Sequence, residues 1–327
     1  MYFRILVFIS SALISFNLSA QVPVIFDTDM ESDCDDGGAL AMLHAYADQG
    51  KIKIIATPIS ARYQYSGACV DAINTYFGRP DIPIGIPKAT PCKQKSKFAK
   101  EIAQEFPHDF PAGNEQPDAL KVYRKVLLSQ EDNSVVIITV GDLTNIRDLL
   151  DSPADEISSL SGMELVRKKV KHWYCMGSRY PKEMDPGRWG NFKMDPKATT
   201  DAIARWPVKL TFTGGGDFAW KLATGKGLSS LPKTNPVRRV YELYFDGKVK
   251  NRHSADQITV MVAIEGTGSP WKLVTEGYNH IFQNGNHEWK SSPDNPNQAY
   301  ISALEKEEDY PKVAARIEEL MKHMPKK

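Results

Sequence analysis

The sequence predicts a single α/β domain with a mainly parallel sheet covered by helices on both faces, a Rossmann-like arrangement. Two observations lead to this prediction. Short apolar runs, which are typical of buried parallel strands, alternate along the chain with segments whose apolar residues recur at helical spacing. In addition, no internal repeat, low-complexity linker or shift in composition marks a second domain within residues 21–327.

Six strands are predicted because each is a run of apolar, mostly β-branched or aromatic residues bounded by polar or turn-forming residues. In chain order they cover residues 22–27, 52–59, 82–86, 134–140, 171–176 and 208–212. Helices are predicted between them, where apolar residues recur every three or four positions. They cover residues 39–47, 67–76, 118–128 and 143–150, and short strands from residue 271 lead to a last helix over 311–321.

The composition is typical of a globular protein whose partner is a small molecule. The chain has 327 residues, of which 42% are hydrophobic and 25% are charged. Its 41 Lys and Arg residues balance its 40 Asp and Glu residues, so no basic excess indicates a nucleic-acid partner. The cysteines share no CxxC spacing, which argues against a zinc ribbon or a redox pair. They are Cys34, Cys69, Cys92 and Cys175.

The first 20 residues have the pattern of a secretory signal peptide. Arg4 precedes an apolar run over residues 5–14, and the small residue Ala20 precedes Gln21. Because a bilayer-spanning helix needs about 20 apolar residues, this run is too short to span a membrane. We therefore expect cleavage after Ala20, a mature domain over residues 21–327, no membrane partner, and a secreted or periplasmic location.

Six carboxylates lie within ten residues at the end of the first predicted strand, where open parallel sheets bind their ligands. They are Asp27, Asp29, Glu31, Asp33, Asp35 and Asp36. Like-charge repulsion favours a bound cation here, and Ca²⁺ is the expected ion because it prefers oxygen ligands. An EF-hand is excluded, since Ser32 and Gly38 stand where that loop needs Gly and Glu. Glu31 disfavours a DxD motif of the haloacid dehalogenase type, and a solvated acidic turn remains the alternative.

Several separated motifs resemble the inosine-uridine preferring nucleoside hydrolase family, in particular its secreted bacterial branch. The acidic loop resembles the family's DxDxxxDD pattern with two extra residues, which aligns Asp35 and Asp36 with the paired aspartates. Further matches are VDAINTYFGRPDIPIG at 70–85, TVGDLTNI at 139–146, MG at 176–177, NFKMDP at 191–196 and SADQ at 254–257. Because these motifs follow the family's order, the resemblance implies a nucleoside hydrolase-like fold.

The resemblance also implies a calcium-dependent hydrolase that releases base and ribose from nucleosides or related N-ribosyl compounds. The carried-over calcium ligands are Asp29, Asp36, Asp256 and the carbonyl of Val140. Asp29 also accepts the proton of the attacking water, Asp35 and Asn191 bind the ribose, and Asp27 orients its neighbours. Carboxylates suit this reaction because they stabilise a positively charged, oxocarbenium-like transition state. Family members are commonly homo-oligomers, so the resemblance leaves oligomer formation open.

Three positions depart from the family's pattern. Ala255 stands where a His often protonates the leaving base, and His253 is the candidate substitute acid. The run RWGN at 188–191 lacks the sugar-binding Glu, and Ala61 replaces an Asn after the second strand. The candidates for stacking on the base are Arg188, Trp189, Tyr63 and Tyr65. Two hypotheses remain: a secreted hydrolase, or a catalytically impaired, Ca²⁺-bound protein that binds nucleosides or sugars.

Overall fold

A seven-stranded sheet lies at the centre of the computed structural model, which describes residues 21–61, 63–88, 95–188, 190–292 and 297–326. Within these ranges the strands are β1 (Val22–Asp27), β2 (Ile52–Ala56), β3 (Val135–Thr139), β4 (Val170–Cys175), β5 (Lys182–Glu183), β6 (Leu210–Phe212), β7 (Ala223–Thr224), β8 (Arg252–His253), β9 (Trp271–Val274), β10 (Tyr278–Ile281), β11 (His287–Lys290) and β12 (Gln298–Leu304). The signal peptide expected over residues 1–20, Cys92 and the stacking candidate Trp189 lie outside the described residues.

Eleven α-helices flank these strands within the same ranges. They are α1 (Asp35–Asp48), α2 (Ser66–Tyr76), α3 (Ala99–Glu105), α4 (Ala119–Leu128), α5 (Thr144–Asp151), α6 (Gly162–Lys169), α7 (Pro196–Arg205), α8 (Asp217–Lys221), α9 (Pro236–Tyr244), α10 (Ala255–Glu265) and α11 (Asp309–Met321). None of the helices in the described part of the chain is both long and apolar enough to cross a lipid bilayer.

The central sheet is mainly parallel, as the sequence predicts. Its strand order is β2-β1-β3-β4-β6-β12-β9, and each neighbouring pair is parallel except the last, in which β9 runs antiparallel to β12. Helices on both faces connect the parallel strands. The predicted fold class, a single α/β domain with helices on both faces, is therefore confirmed.

Strand β1 divides the hydrophobic core into two layers because successive side chains point to opposite faces of a sheet. Val24 and Phe26 belong to one buried cluster, and Ile25 belongs to the other. Helix α1 lies in the first layer, where it contacts α10 and α11, and nearly all of its residues are buried. The middle of this helix, ALAML over residues 39–43, is apolar on all sides because it is surrounded by protein.

The strand predicted over residues 82–86 is wrong. Within the described residues, this segment makes only an isolated bridge between Ile86 and Asp118. It contributes carbonyl groups instead, since Pro83 accepts from the Thr57 amide at 2.9 Å and Gly85 accepts from the Ile59 amide at 2.8 Å. Proline has no amide hydrogen to donate, which limits regular pairing here.

Candidate active site

The carboxyl ends of the central strands meet at one edge of the sheet. The Val140 amide donates to the Asp27 carbonyl at 2.8 Å, and the Met176 amide donates to the last residue of β3 at 2.9 Å. Helix α10 begins at the same edge. Gly214, just after β6, lies beside the first residue of α10, since a Cβ on Gly214 would be 2.2 Å from the Ala255 carbonyl oxygen. Open α/β sheets bind their ligands at such an edge.

Three aspartates form an acidic cluster at this edge. Carboxylate oxygens of Asp33, Asp36 and Asp256 lie within 4.8 Å of one another, and all three residues are buried. Asp36 lies in the first turn of α1 and Asp256 in the first turn of α10, so the positive ends of two helix dipoles lie beside the cluster. The sequence analysis selected Asp36 and Asp256 as ligands but did not select Asp33.

Asp29 and Asp35 lie beside the acidic cluster. Asp29 Oδ1 accepts from the Glu31 amide at 3.3 Å, and Met30 turns the chain with a φ of 49°, in the left-handed region. The Asp256 amide lies 3.5 Å from Asp35 Oδ2, whereas Asp35 Oδ1 is buried and has no hydrogen-bond partner among the described residues. The assignment of Asp29 as a ligand and base stays a prediction.

Burial raises the pKa of four carboxyl groups in this region, those of Asp29, Asp35, Asp36 and Asp256. The pKa values of Asp29, Asp35 and Asp256 lie well above the usual range, first because of burial and then because of neighbouring carboxylates. Burial and the charge of Asp33 raise the pKa of Asp36 to about 7, although the hydrogen bonds that Asp36 accepts lower it. A buried set of carboxylates that offers only oxygen donors fits a hard divalent cation, which would neutralise this charge.

Two groups of hydrogen bonds hold the loop after β1. The Thr28 hydroxyl donates to Asp36 Oδ1, which orients that carboxylate towards the cluster. On the other side, Asp27 Oδ2 accepts from the Tyr123 hydroxyl at 2.6 Å and from Asn145 Nδ2 at 3.0 Å. Burial raises the pKa of Asp27 to about 8, although both of these hydrogen bonds lower it. Asp27 thus connects β1 to α4 and α5 behind the cluster.

The Asn191 side chain links the residues that directly follow β3 and β4. It is fully buried, and its Nδ2 donates to the Val140 carbonyl at 2.6 Å and to the Met176 carbonyl at 3.1 Å. The sequence analysis assigned the Val140 carbonyl to the metal and Asn191 to the ribose. The contact between them means that Asn191 sets the direction of the Val140 carbonyl.

A cavity of about 260 Å³ lies next to the acidic cluster, and we call it the inner cavity. Its wall includes Gly190, directly before Asn191, and Ala255, directly before Asp256. The polar wall residues are Ser178, Arg179, Glu183, Arg188, Arg252 and His253. The buried Glu183 pairs with Arg188, whose Nε is 3.2 Å from Glu183 Oε2. The wall therefore carries several charged side chains, and two of its residues are the chain neighbours of Asn191 and Asp256.

Of the stacking candidates, only Arg188 among the described residues is part of the inner cavity wall. The rings of Tyr63 and Tyr65 instead contact each other edge to face, with centroids 5.5 Å apart, and both residues pack against the core. The wall residues that the sequence did not single out include Glu183, Trp220 and Arg252. The position of Arg252 directly before the candidate acid His253 is a weak indication that Arg252 lies at the site. Nothing in the local sequence indicates that Glu183 does.

Arg252 and His253 link the inner cavity to the acidic cluster. Arg252 Nη2 donates to Asp33 Oδ2 at 2.6 Å, and Arg252 Nη1 donates to His253 Nδ1 at 2.6 Å. Burial and the Arg252 charge lower the pKa of His253 to about 4, so the imidazole is neutral near pH 7. With Nδ1 accepting, Nε2 carries the hydrogen. His253 can therefore donate a hydrogen bond to a leaving base, but little imidazolium is present to protonate it.

Comparisons with known proteins rest on structure rather than on sequence. No protein-family model matches the sequence, and no curated protein is significantly similar to it. A plant nucleoside hydrolase is similar in structure with a TM-score of 0.65 and 15% identity, over 92% of this chain and 98% of the other. An inosine-uridine preferring nucleoside hydrolase from Bacillus anthracis has a TM-score of 0.64 and 12% identity, over 92% and 100%. The chain has the nucleoside hydrolase fold.

The same fold occurs in the type III effector protein XopQ, which was solved in complex with adenosine diphosphate ribose. Its TM-score is 0.64 at 13% identity, over 93% of each chain. In the nucleoside hydrolase fold of the present chain, the acidic loop, Val140, Asn191 and the start of α10 converge at one edge of the sheet. Ala255, which stands where the family often has a His, lies in the wall of the inner cavity.

Proposed function

We propose that the protein hydrolyses the N-glycosidic bond of nucleosides or related N-ribosyl compounds and releases base and ribose. The observation that supports this most directly is the buried acidic cluster beside the inner cavity, at the ligand-binding edge of a nucleoside hydrolase fold. The plant and Bacillus anthracis proteins of this fold are nucleoside hydrolases. A small cavity with a largely apolar wall and a few charged side chains suits a ribosyl compound, which has a flat base as well as a polar sugar.

We propose that the site binds Ca²⁺. The candidate ligands are Asp29, Asp33, Asp36, Asp256 and the Val140 carbonyl. This set agrees with the preference of Ca²⁺ for 6–8 oxygen ligands, some of them water. When bound, the cation supplies positive charge that lowers the pKa of water and orients the sugar hydroxyls. Arg252 would keep one carboxylate of the set, that of Asp33, in a fixed direction through their 2.6 Å contact.

In the proposed reaction, water attacks the anomeric carbon and its proton passes to Asp29. The bond between that carbon and the base nitrogen breaks, and its electron pair leaves with the base. The surrounding carboxylates stabilise the positive charge on the ribosyl ring. The unpartnered Asp35 Oδ1 is suited to accept a hydrogen bond from a ribose hydroxyl. His253 Nε2 is the candidate donor of a hydrogen bond to the departing base.

The experiment uses the mature chain from Gln21 with Ca²⁺ and a panel of purine and pyrimidine nucleosides. Release of reducing sugar by the wild type, lost in Asp29→Asn but kept in Asp81→Asn, would support the hydrolase. Asp81 is exposed and remote from the cluster, so its substitution controls for the change of charge. No release, together with a Ca²⁺- and ribose-dependent rise in Tm, would support the binding protein instead.

We also propose that the chain is exported, on the basis of the signal-peptide pattern of residues 1–20. Fractionation of a cell that produces the full chain, with sequencing of the mature N-terminus, tests this proposal. A homo-oligomer is tested by light scattering of the mature protein.

A further inference from the structure

A second cavity, shallow and open to solvent, borders the inner cavity. It has a volume of about 460 Å³, and we call it the annex. The annex is lined by Trp220, Tyr244, Phe245, Asn251, Arg252 and His253. Three of these residues, Trp220, Arg252 and His253, also line the inner cavity, so the two spaces share a wall. A ligand that contacts these three side chains in the inner cavity therefore lies next to the annex.

The annex combines one exposed aromatic ring, that of Trp220, with positive charge, whereas its Tyr244 and Phe245 rings are half-buried and contact each other edge to face. Trp220 is 54% exposed, although tryptophan is usually well buried. Cationic groups approach each ring: Arg188 Cζ lies 5.8 Å from the Trp220 ring centroid, Arg252 Cζ 5.7 Å from that of Tyr244, and Lys250 Nζ 5.8 Å from that of Phe245. None of the described residues that line the annex is acidic. This chemistry favours a flat, aromatic group that carries negative charge nearby.

The volumes of the two cavities also favour a ligand that is larger than a nucleoside. Ligand pockets usually have volumes of about 300–1,000 Å³. The inner cavity, at about 260 Å³, is below this range, and the annex adds about 460 Å³ of open space. A nucleoside alone would leave the annex empty and the Trp220 ring in water.

We propose that the annex binds the second aromatic ring of a dinucleotide-like N-ribosyl compound, with the linking phosphates next to Arg252 and Lys250. This inference rests on the proposed function and narrows its substrate class from free nucleosides to phosphate-linked ones. Trp220 stacks on the second ring, because aromatic side chains bind any base through its π-face. Arg252 contacts both the acidic cluster and the annex, so it joins the two halves of the site.

The test measures binding by calorimetry at a fixed free Ca²⁺ concentration. The probes are adenosine, adenosine monophosphate, adenosine diphosphate ribose and diadenosine diphosphate. In turn they add a phosphate, a second phosphate with a linked ribose, and a second base. We expect diadenosine diphosphate to bind about tenfold more tightly than adenosine diphosphate ribose, since one stacked base contributes about this factor. Trp220→Leu and, separately, Tyr244→Leu should remove this preference, whereas Tyr278→Leu, on β10 and outside both cavities, should keep it.

Two results would overturn the proposal. Equal affinity for the last two probes would show that no second ring is bound, and a preference that survives in both annex variants would show that it is bound elsewhere. Analysis of the same samples for released adenine separates this inference from the proposed function. Preference without cleavage would support the annex and count against hydrolysis of adenosine compounds, whereas cleavage without preference would support the hydrolase and refute the annex.

Discussion

Asn191→Ala tests whether Asn191 supports the site from below or contacts the ribose directly. Its buried amide donates to the Val140 carbonyl at 2.6 Å and to the Met176 carbonyl at 3.1 Å. A buried carbonyl that loses its donor costs about 1–3 kcal/mol, so two such losses should lower the free energy of unfolding by about 2–6 kcal/mol. Ca²⁺ binding should also become weaker, because the Val140 carbonyl loses the hydrogen bond that fixes its direction. A residue that contacted only the ribose would raise KM and leave stability nearly unchanged.

The assay is urea denaturation of the mature protein without Ca²⁺, followed by calorimetric titration of Ca²⁺. Asn114→Ala is the matched control, because Asn114 is exposed and its substitution should change stability by less than about 0.5 kcal/mol. A change of less than about 1 kcal/mol in the free energy of unfolding of Asn191→Ala would show that its two hydrogen bonds do not hold the strand ends together.

Two further predictions concern pH and backbone geometry. Burial lowers the pKa of His44 from 6.5 to about 3, so between these pH values the unfolded chain binds more protons at this residue than the folded chain does. The contribution of neutral His44 to the free energy of unfolding is therefore complete above pH 6.5 and falls by up to about 5 kcal/mol as the pH drops to 3. His44→Gln should therefore flatten the loss of stability in urea titrations between about pH 7 and about pH 4, and an unchanged slope would contradict this. Gly214→Ala, with a φ of 82° and its new Cβ 2.2 Å from the Ala255 carbonyl oxygen, should displace the start of α10 and abolish Ca²⁺-dependent stabilisation. Gly247→Ala, with a φ of 91° but no atom within 4 Å, should lower stability by only about 1 kcal/mol and keep the Ca²⁺ response; equal effects of the two would contradict the steric argument.

Local patterns predicted several elements closely. Strand β1 has the bounds expected from VPVIFD, and the helix expected over 118–128 is observed as Ala119–Leu128. These segments carry their own signal, because a run of buried apolar residues or a helical repeat is visible within a few residues. The segment over 82–86 has the apolar composition of a strand, but its backbone accepts hydrogen bonds from the chain after β2 without forming a ladder.

The fold class, the acidic loop after β1 and the edge of the sheet at which that loop lies can all be predicted from the amino-acid sequence. Which carboxylates meet depends on tertiary packing, since Asp33 and Asp36 are more than 200 residues from Asp256 along the chain. The same holds for the contact between Arg252 and Asp33 and for the aromatic rings of the annex. Periodicity reports local burial, whereas the distances between carboxylates, cations and rings follow from how distant helices and loops pack at the strand ends.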